Sequence, residues 1–186
     1  MLLSRVITAL VALPGLIALI LWSPEWGYLL FVAVVAVVGH LELEGILRPG
    51  ASRWRQAWGV ALGVLFTAVY YGAVRWERWD VLAILFPATV IAVMALTLFR
   101  PGKIDGAGGE MSLRLFGVLY GGVLIAYLGL LRTKPQGPEL VLLALLVTWS
   151  ADTGAYFAGR SLGKHKLYPK VSPGKTWEGA VGGLLA

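Results

Sequence analysis

The 186-residue sequence contains no cysteine and only two histidines. A disulfide framework, thiolate catalysis and a cysteine-ligated zinc site are therefore excluded, and any metal would be held by oxygen ligands or by one of those histidines. That favours Mg²⁺ or a similarly hard cation. Charge is scarce as well: 14% of residues are charged against 58% hydrophobic, and mean hydropathy is +0.77. Several apolar runs approach bilayer-crossing length, so the composition is that of a polytopic membrane protein with no soluble domain. Acidic residues are the scarcer sign, ten against sixteen Lys and Arg. In a chain this apolar such cations flank membrane spans, and no nucleic-acid partner is expected. Repeats and low-complexity tracts are absent too.

Read in order, the apolar runs predict an all-α transmembrane bundle forming a single membrane domain over 1–186, with about six complete spans and the start of a seventh. The spans are expected at about 6–22, 26–44, 57–74, 81–99, 115–131 and 139–159, followed by a basic loop at 160–177 and a helix from 178 to 186. Arg5 ahead of an apolar run resembles a signal peptide, but the run is long and no small-x-small site follows Leu21, so an uncleaved first span is expected. Nine residues from Glu178 to Ala186 cover only about 14 Å as a helix, under half the hydrocarbon thickness. Tryptophans in the turn Arg75-Trp76-Glu77-Arg78-Trp79-Asp80 are placed as interface anchors. With these spans, twelve Lys and Arg fall on one side and four (Arg75, Arg78, Arg132 and Lys134) on the other. The positive-inside rule then puts the N-terminus and the basic loop in the cytosol, as expected for a bacterial inner-membrane protein.

The chemistry concentrates in Val147 to Gly179. Asp152 follows an apolar run inside the sixth span, where a carboxylate is costly unless it meets water, a cation or a partner. At helical spacing Thr148, Asp152, Tyr156 and Gly159 share one face. Two small-residue rows lie beside it, Ser150, Gly154, Ala158 and Ala151, Ala155, Gly159, so the stripe is expected to face a bundle interior, roughly 10 Å below the membrane boundary. Between Thr153 and Trp177 there is no acidic residue, while Arg160, Lys164, Lys166, Lys170 and Lys175 supply five positive charges and His165 a sixth when protonated. Ser172-Pro173-Gly174-Lys175-Thr176 is not a P-loop: the leading glycine would fall at Pro169, and a helix stands where a strand is required. Ser172 is instead expected to cap a helix with Pro173 at its first position, leaving free N–H groups that join Lys175 and Thr176 in an anion site. A carboxylate beside clustered cations suggests a site for a metal and phosphates.

The run Ser150-Ala151-Asp152-Thr153-Gly154-Ala155-Tyr156-Phe157-Ala158-Gly159-Arg160, then Gly163-Lys164-His165-Lys166-Leu167, then Ser172-Pro173-Gly174-Lys175-Thr176-Trp177-Glu178-Gly179 resembles the phosphatidate cytidylyltransferases, the CDP-diacylglycerol synthases. The likeness runs nearly position by position through residues 150–179; the earlier spans share only the family's character. It implies a Mg²⁺-dependent membrane enzyme, a second cation being left open, that condenses CTP with phosphatidate to CDP-diacylglycerol and pyrophosphate. Asp152 would be catalytic and a metal ligand, Lys175 catalytic, and Arg160, Lys164, Lys166, Ser172 and Thr176 would bind substrate. Glu178 joins that set either as a partner of Lys175 at i+3, the favoured reading, or as a metal ligand. CTP, phosphatidate and the bilayer are the expected partners; homodimerisation is left open. The family's other signature, a Ser-x-x-Lys-Arg and Lys-Asp stretch ending in Pro-Gly-His-Gly-Gly and Asp-Arg-x-Asp, does not occur in these residues. The chain is therefore expected to be C-terminally incomplete, with inactivity on its own left open.

Two other readings compete. A CTP-dependent lipid-alcohol kinase would release CDP instead of pyrophosphate. A transporter would use Asp152 as an ion relay, but it predicts charges in other spans, and Asp152 is the only carboxylate read as lying well inside one. A weaker constellation, His40, Glu42 and Glu44, puts His40 and Glu44 on one helix face, within reach of a metal or, more ordinarily, at a helix end near the interface.

Overall fold

The computed structural model describes residues 2–99 and 106–186; Arg100, Lys103 and the rest of the stretch 100–105 lie outside the described residues, as does the side chain of Arg5. The architecture is the expected all-α bundle. Its helices are α1 (Leu2–Trp22), α2 (Glu25–Leu47), α3 (Arg53–Arg75), α4 (Trp79–Leu98), α5 (Ala107–Arg132), α6 (Gly137–Ser161) and α7 (Trp177–Leu185). Helices α2 to α6 are each long and apolar enough to cross a membrane, and Ala12–Trp22 of α1 is also apolar. The helices outrun the expected spans because polar and glycine-bearing flanks continue the same hydrogen-bond ladder: α5 starts at Ala107, eight residues before the apolar run at Leu115. Among the described residues one short sheet interrupts the helical pattern, strands β1 (Lys166–Tyr168) and β2 (Ser172–Thr176) within the expected basic loop.

The chain forms two compact units, Met1–Gly137 and Pro138–Ala186. In the first, α3 and α5 hold the core, where Phe66 and Tyr70 pack with Val118, Ala126 and Leu130. Close approach depends on missing side chains. A methyl group on Gly63 would meet the His40 ring, and one on Gly122 the Phe66 ring. That exchange of a Cβ for backbone proximity is the usual way membrane helices gain packing contacts. Arg132, at the end of α5, donates from Nε to the Ile20 carbonyl (3.1 Å) and from Nη2 to that of Ser23 (3.2 Å), satisfying carbonyls that the last turn of α1 leaves free. Trp22, Trp26, Trp76 and Trp79 are exposed at one end of this unit and Trp54 and Trp58 at the other, the two-belt placement that interfacial tryptophans adopt.

In the second unit α6 and α7 approach through glycine and alanine. A Cβ on Gly154 would come within 2.6 Å of the Gly182 carbonyl oxygen, and one on Gly183 within 2.7 Å of the Ala151 carbonyl oxygen. The two small-residue rows expected to seat a neighbouring helix therefore seat α7. Between the helices, β1 and β2 pair antiparallel with Lys166 opposite Thr176 and Tyr168 opposite Ser172, and the register slips between the two pairs. Pro173 is tolerated because a two-stranded ribbon has only edge strands.

Candidate functional site

The hairpin corrects the expected cap. Ser172 begins β2 and Pro173 is not a first helical residue. The N-cap of α7 is Thr176, whose extended backbone (φ −129°, ψ 157°) turns the strand into the helix and whose Oγ1 accepts the Gly179 N–H at 3.1 Å. Ser172 lost to Thr176 because pairing with Tyr168 and Lys166 satisfies the backbone of 172–176 as strand, so the first free N–H groups arise four residues later. Thr176 is buried, and Gly163 and Gly159 leave room for it: a Cβ at Gly163 would lie 2.9 Å from both Cγ2 and Oγ1 of Thr176.

These elements frame an open cleft of about 560 Å³ lined by Asp152, Tyr156, Arg160, Lys175, Thr176 and Gly179, among others. Asp152 is exposed on the α6 side of it, a correction to the enclosed position expected: the small rows, not the polar stripe, make the helix contact. Among the described residues Asp152 has no hydrogen bond or ion pair, and neither has Lys175. Arg160 Nη1 donates to the Tyr156 hydroxyl at 2.7 Å, and its guanidinium lies 5.9 Å from that ring's centre. This contact orients the guanidinium along the cleft without neutralising it.

Four sequence-predicted residues, Asp152, Arg160, Lys175 and Thr176, thus share one cleft, and four do not line it. Lys166 Nζ donates across the hairpin to the Pro173 carbonyl at 2.8 Å. Lys164 and Ser172 lie outside the lining. Glu178 is not Lys175's partner. It lines a different pocket with Trp177 and Leu162, and its carboxylate accepts from His165, with Nδ1 at 2.7 Å and the backbone N–H at 3.3 Å. These contacts hold the Glu178 carboxyl down at about 2, the His165 side-chain bond being the largest cause. The helical i+3 rule fails here because Lys175 belongs to a strand.

In the first unit His40 and Glu44 do share a face, and both are buried, whereas Glu42 is exposed. His40 Nε2 lies 3.2 Å from Thr67 Oγ1, and Glu44 pairs with Arg48. No group of three metal-capable side chains occurs among the described residues. Sequence reading missed the ionic cluster around Glu44. Arg48 and Arg114 each lie 3.6 Å from Glu110, which Arg55 also pairs. The signal was present in the i,i+4 pairs Glu44–Arg48 and Glu110–Arg114.

The sequence model of the cytidylyltransferase family matches residues 3–186. The chain belongs to the cytidylyltransferase family. Relatives include proteins named phosphatidate cytidylyltransferase from Pseudomonas aeruginosa, 35% identical over 99% of this chain and 67% of the relative, and from Staphylococcus saprophyticus, 32% identical over 93% and 66%. A third, from Brucella suis, is 33% identical over 98% of this chain and 63% of its own length. The chain thus spans about two thirds of the length of these relatives. For a member of this family, a cleft with one free carboxylate and two free cations is the natural place to look for chemistry.

Proposed function

We propose that the protein is a membrane nucleotidyltransferase that condenses CTP with phosphatidate, giving CDP-diacylglycerol and pyrophosphate. The observation that carries this is the cleft in which Asp152, Arg160 and Lys175 stand together without neutralising one another. Family membership and the relatives' shared name favour it over a lipid-alcohol kinase or a transporter.

In the reaction a phosphate oxygen of phosphatidate attacks the α-phosphorus of CTP, a new phosphoanhydride bond forms, and the bond to the β-phosphate breaks to release pyrophosphate. Both substrates are polyanions, so the step needs neutralisation and in-line placement more than covalent help. Lys175 and Arg160 supply fixed positive charge, Arg160 pre-oriented by Tyr156. Thr176 holds the first turn of α7 against the cleft, and its hydroxyl retains a proton to donate. Lys164 and Lys166 extend the positive field beyond the lining.

Asp152 fits Mg²⁺ as a single protein ligand, since this ion is commonly bound by one or two carboxylates plus substrate phosphates and water. When bound, it supplies charge neutralisation across the phosphates and the leaving pyrophosphate. The twelve-to-four bias of Lys and Arg supports placing the basic end in the cytosol of a bacterial inner membrane, where CTP is available. The test is lipid-dependent pyrophosphate release from CTP by the complete gene product in membranes, beside Asp152→Asn. Release that requires phosphatidate and collapses in the variant is the expected result; release of CDP, or wild-type turnover by the variant, would overturn the reading.

A further inference from the structure

The hairpin of the second unit is irregular at Lys175. Lys166 pairs with Thr176 and Tyr168 with Ser172, so Pro173, Gly174 and Lys175 of β2 lie opposite the single residue Leu167 of β1. Where one strand carries residues in excess, the ladder is interrupted and the strand bends, which re-aims its side chains. Here the irregular stretch faces the cleft, since Leu167, Gly174 and Lys175 all line it. The ladder sets only the ends of this stretch, and Lys175 is placed by whatever fixes those ends.

One end is held by Lys166, whose Nζ donates to the Pro173 carbonyl at 2.8 Å. The other is the junction Thr176-Trp177-Glu178, where β2 gives way to α7, and His165 holds it in both directions. The His165 carbonyl accepts the Trp177 N–H at 3.0 Å. Its own N–H, at 3.3 Å, and its Nδ1, at 2.7 Å, donate to the Glu178 carboxylate, because an ionised carboxylate can only accept. The side-chain bond adds little to stability: the His165 side chain is 77% exposed and that of Glu178 24%, and ion pairs open to solvent are weak. What it fixes is geometry, immediately after Lys175 and Thr176.

We propose that His165 and Glu178 are positioning residues for the cleft: together they tie the start of α7 to the residue preceding β1, and so keep Lys175 aimed at the phosphates of a bound substrate. Neither residue lines the cleft; both act through Lys175. The consequence for turnover rests on the nucleotidyltransferase reading, whereas the placement of Lys175 does not.

The test is a double-mutant cycle on lipid-dependent pyrophosphate release from CTP by the complete protein. His165→Ala should lower turnover about tenfold, within the range that misplacing a catalytic group costs, with the melting temperature in place. His165→Asn, which keeps an N–H donor where Nδ1 stood, should restore most of the loss. In a Lys175→Ala background His165→Ala should cost less than about twofold, because residues that act through one another are not additive. Wild-type turnover in His165→Ala, or a loss as large without Lys175 as with it, would overturn the proposal. A second measurement does not depend on the reaction. In this chain, which has no cysteine, a nitroxide attached at Lys175→Cys is a unique label; its spin-resonance line should be broad with His165 present and narrow when His165→Ala is added. A line unchanged by His165→Ala would overturn the positioning role whatever the enzyme makes. Narrowing without any lipid-dependent pyrophosphate release would uphold that role and count against the nucleotidyltransferase reading alone.

Discussion

Both units carry ionisable groups on apolar helices, but they handle them in opposite ways. In the first, Glu44 and Glu110 pair with the guanidiniums of Arg48, Arg55 and Arg114 where helices converge. In the second, Asp152 and Lys175 line a common cleft and touch no opposite charge among the described residues. Charge already paired within the protein holds helices in register and has little left to offer a substrate. Unpaired charge contributes nothing to holding the fold and remains available to a nucleotide. The same residue types therefore read as architecture in one unit and as candidate chemistry in the other.

The contrast breaks first at Glu44. Glu44→Ala takes from the buried Arg48 guanidinium its i,i+4 partner and leaves it Glu110 at 3.6 Å; removing one partner of a buried pair costs about 3–5 kcal/mol, and thermal unfolding should show a loss towards the lower end of that range. Asp152→Asn should do the reverse, leaving the melting temperature in place while pyrophosphate release falls on the order of 10²–10³-fold. Lys175→Ala removes one charged donor to a phosphate and should cost roughly 10–100-fold in turnover, again at constant melting temperature. Thr176→Ala sharpens the distinction inside the cleft itself, since this residue caps α7: a stability loss of about 1 kcal/mol is expected, recovered in Thr176→Ser.

The smallest effect is a pH dependence at Glu178. Its carboxyl is held at about 2 against an ordinary 4.5, so its bond to His165 is fully present above about 4.5 and is lost as pH falls towards 2. Hydrogen exchange at the start of α7 should be flat from neutral pH down to 5 once corrected for intrinsic rates, then rise below 4.5. Glu178→Gln should remove that slope.

The helices were legible because each carries an apolar run that water would not tolerate, and Asp152 because a carboxylate in such a run has few explanations. The hairpin was not. Lys166-Leu167-Tyr168 is too short for a periodic signal, and Ser172-Pro173-Gly174 carries two strand-averse residues whose tolerance depends on the edge they occupy. The cap misplacement followed directly, since a Ser-Pro pair announces a helix only when its backbone is not already paired. Glu178 was assigned to Lys175 by helical spacing, and the strand at Lys175 sent it to His165 instead. The arginine cluster was hidden differently. Arg48, Arg55 and Arg114 read individually as topology-setting flanks, and their convergence on Glu110 spans dozens of residues that one sequence does not connect.

Asp152 is proposed to grip the nucleotide by way of a divalent ion. Calorimetric titration of CTP into the complete protein, with Mg²⁺ and again with the ion chelated, measures this for wild type and Asp152→Asn. Wild type should lose at least tenfold in CTP affinity on chelation, and the variant should bind equally weakly in both conditions. A variant that keeps the wild-type gain from Mg²⁺ would contradict it.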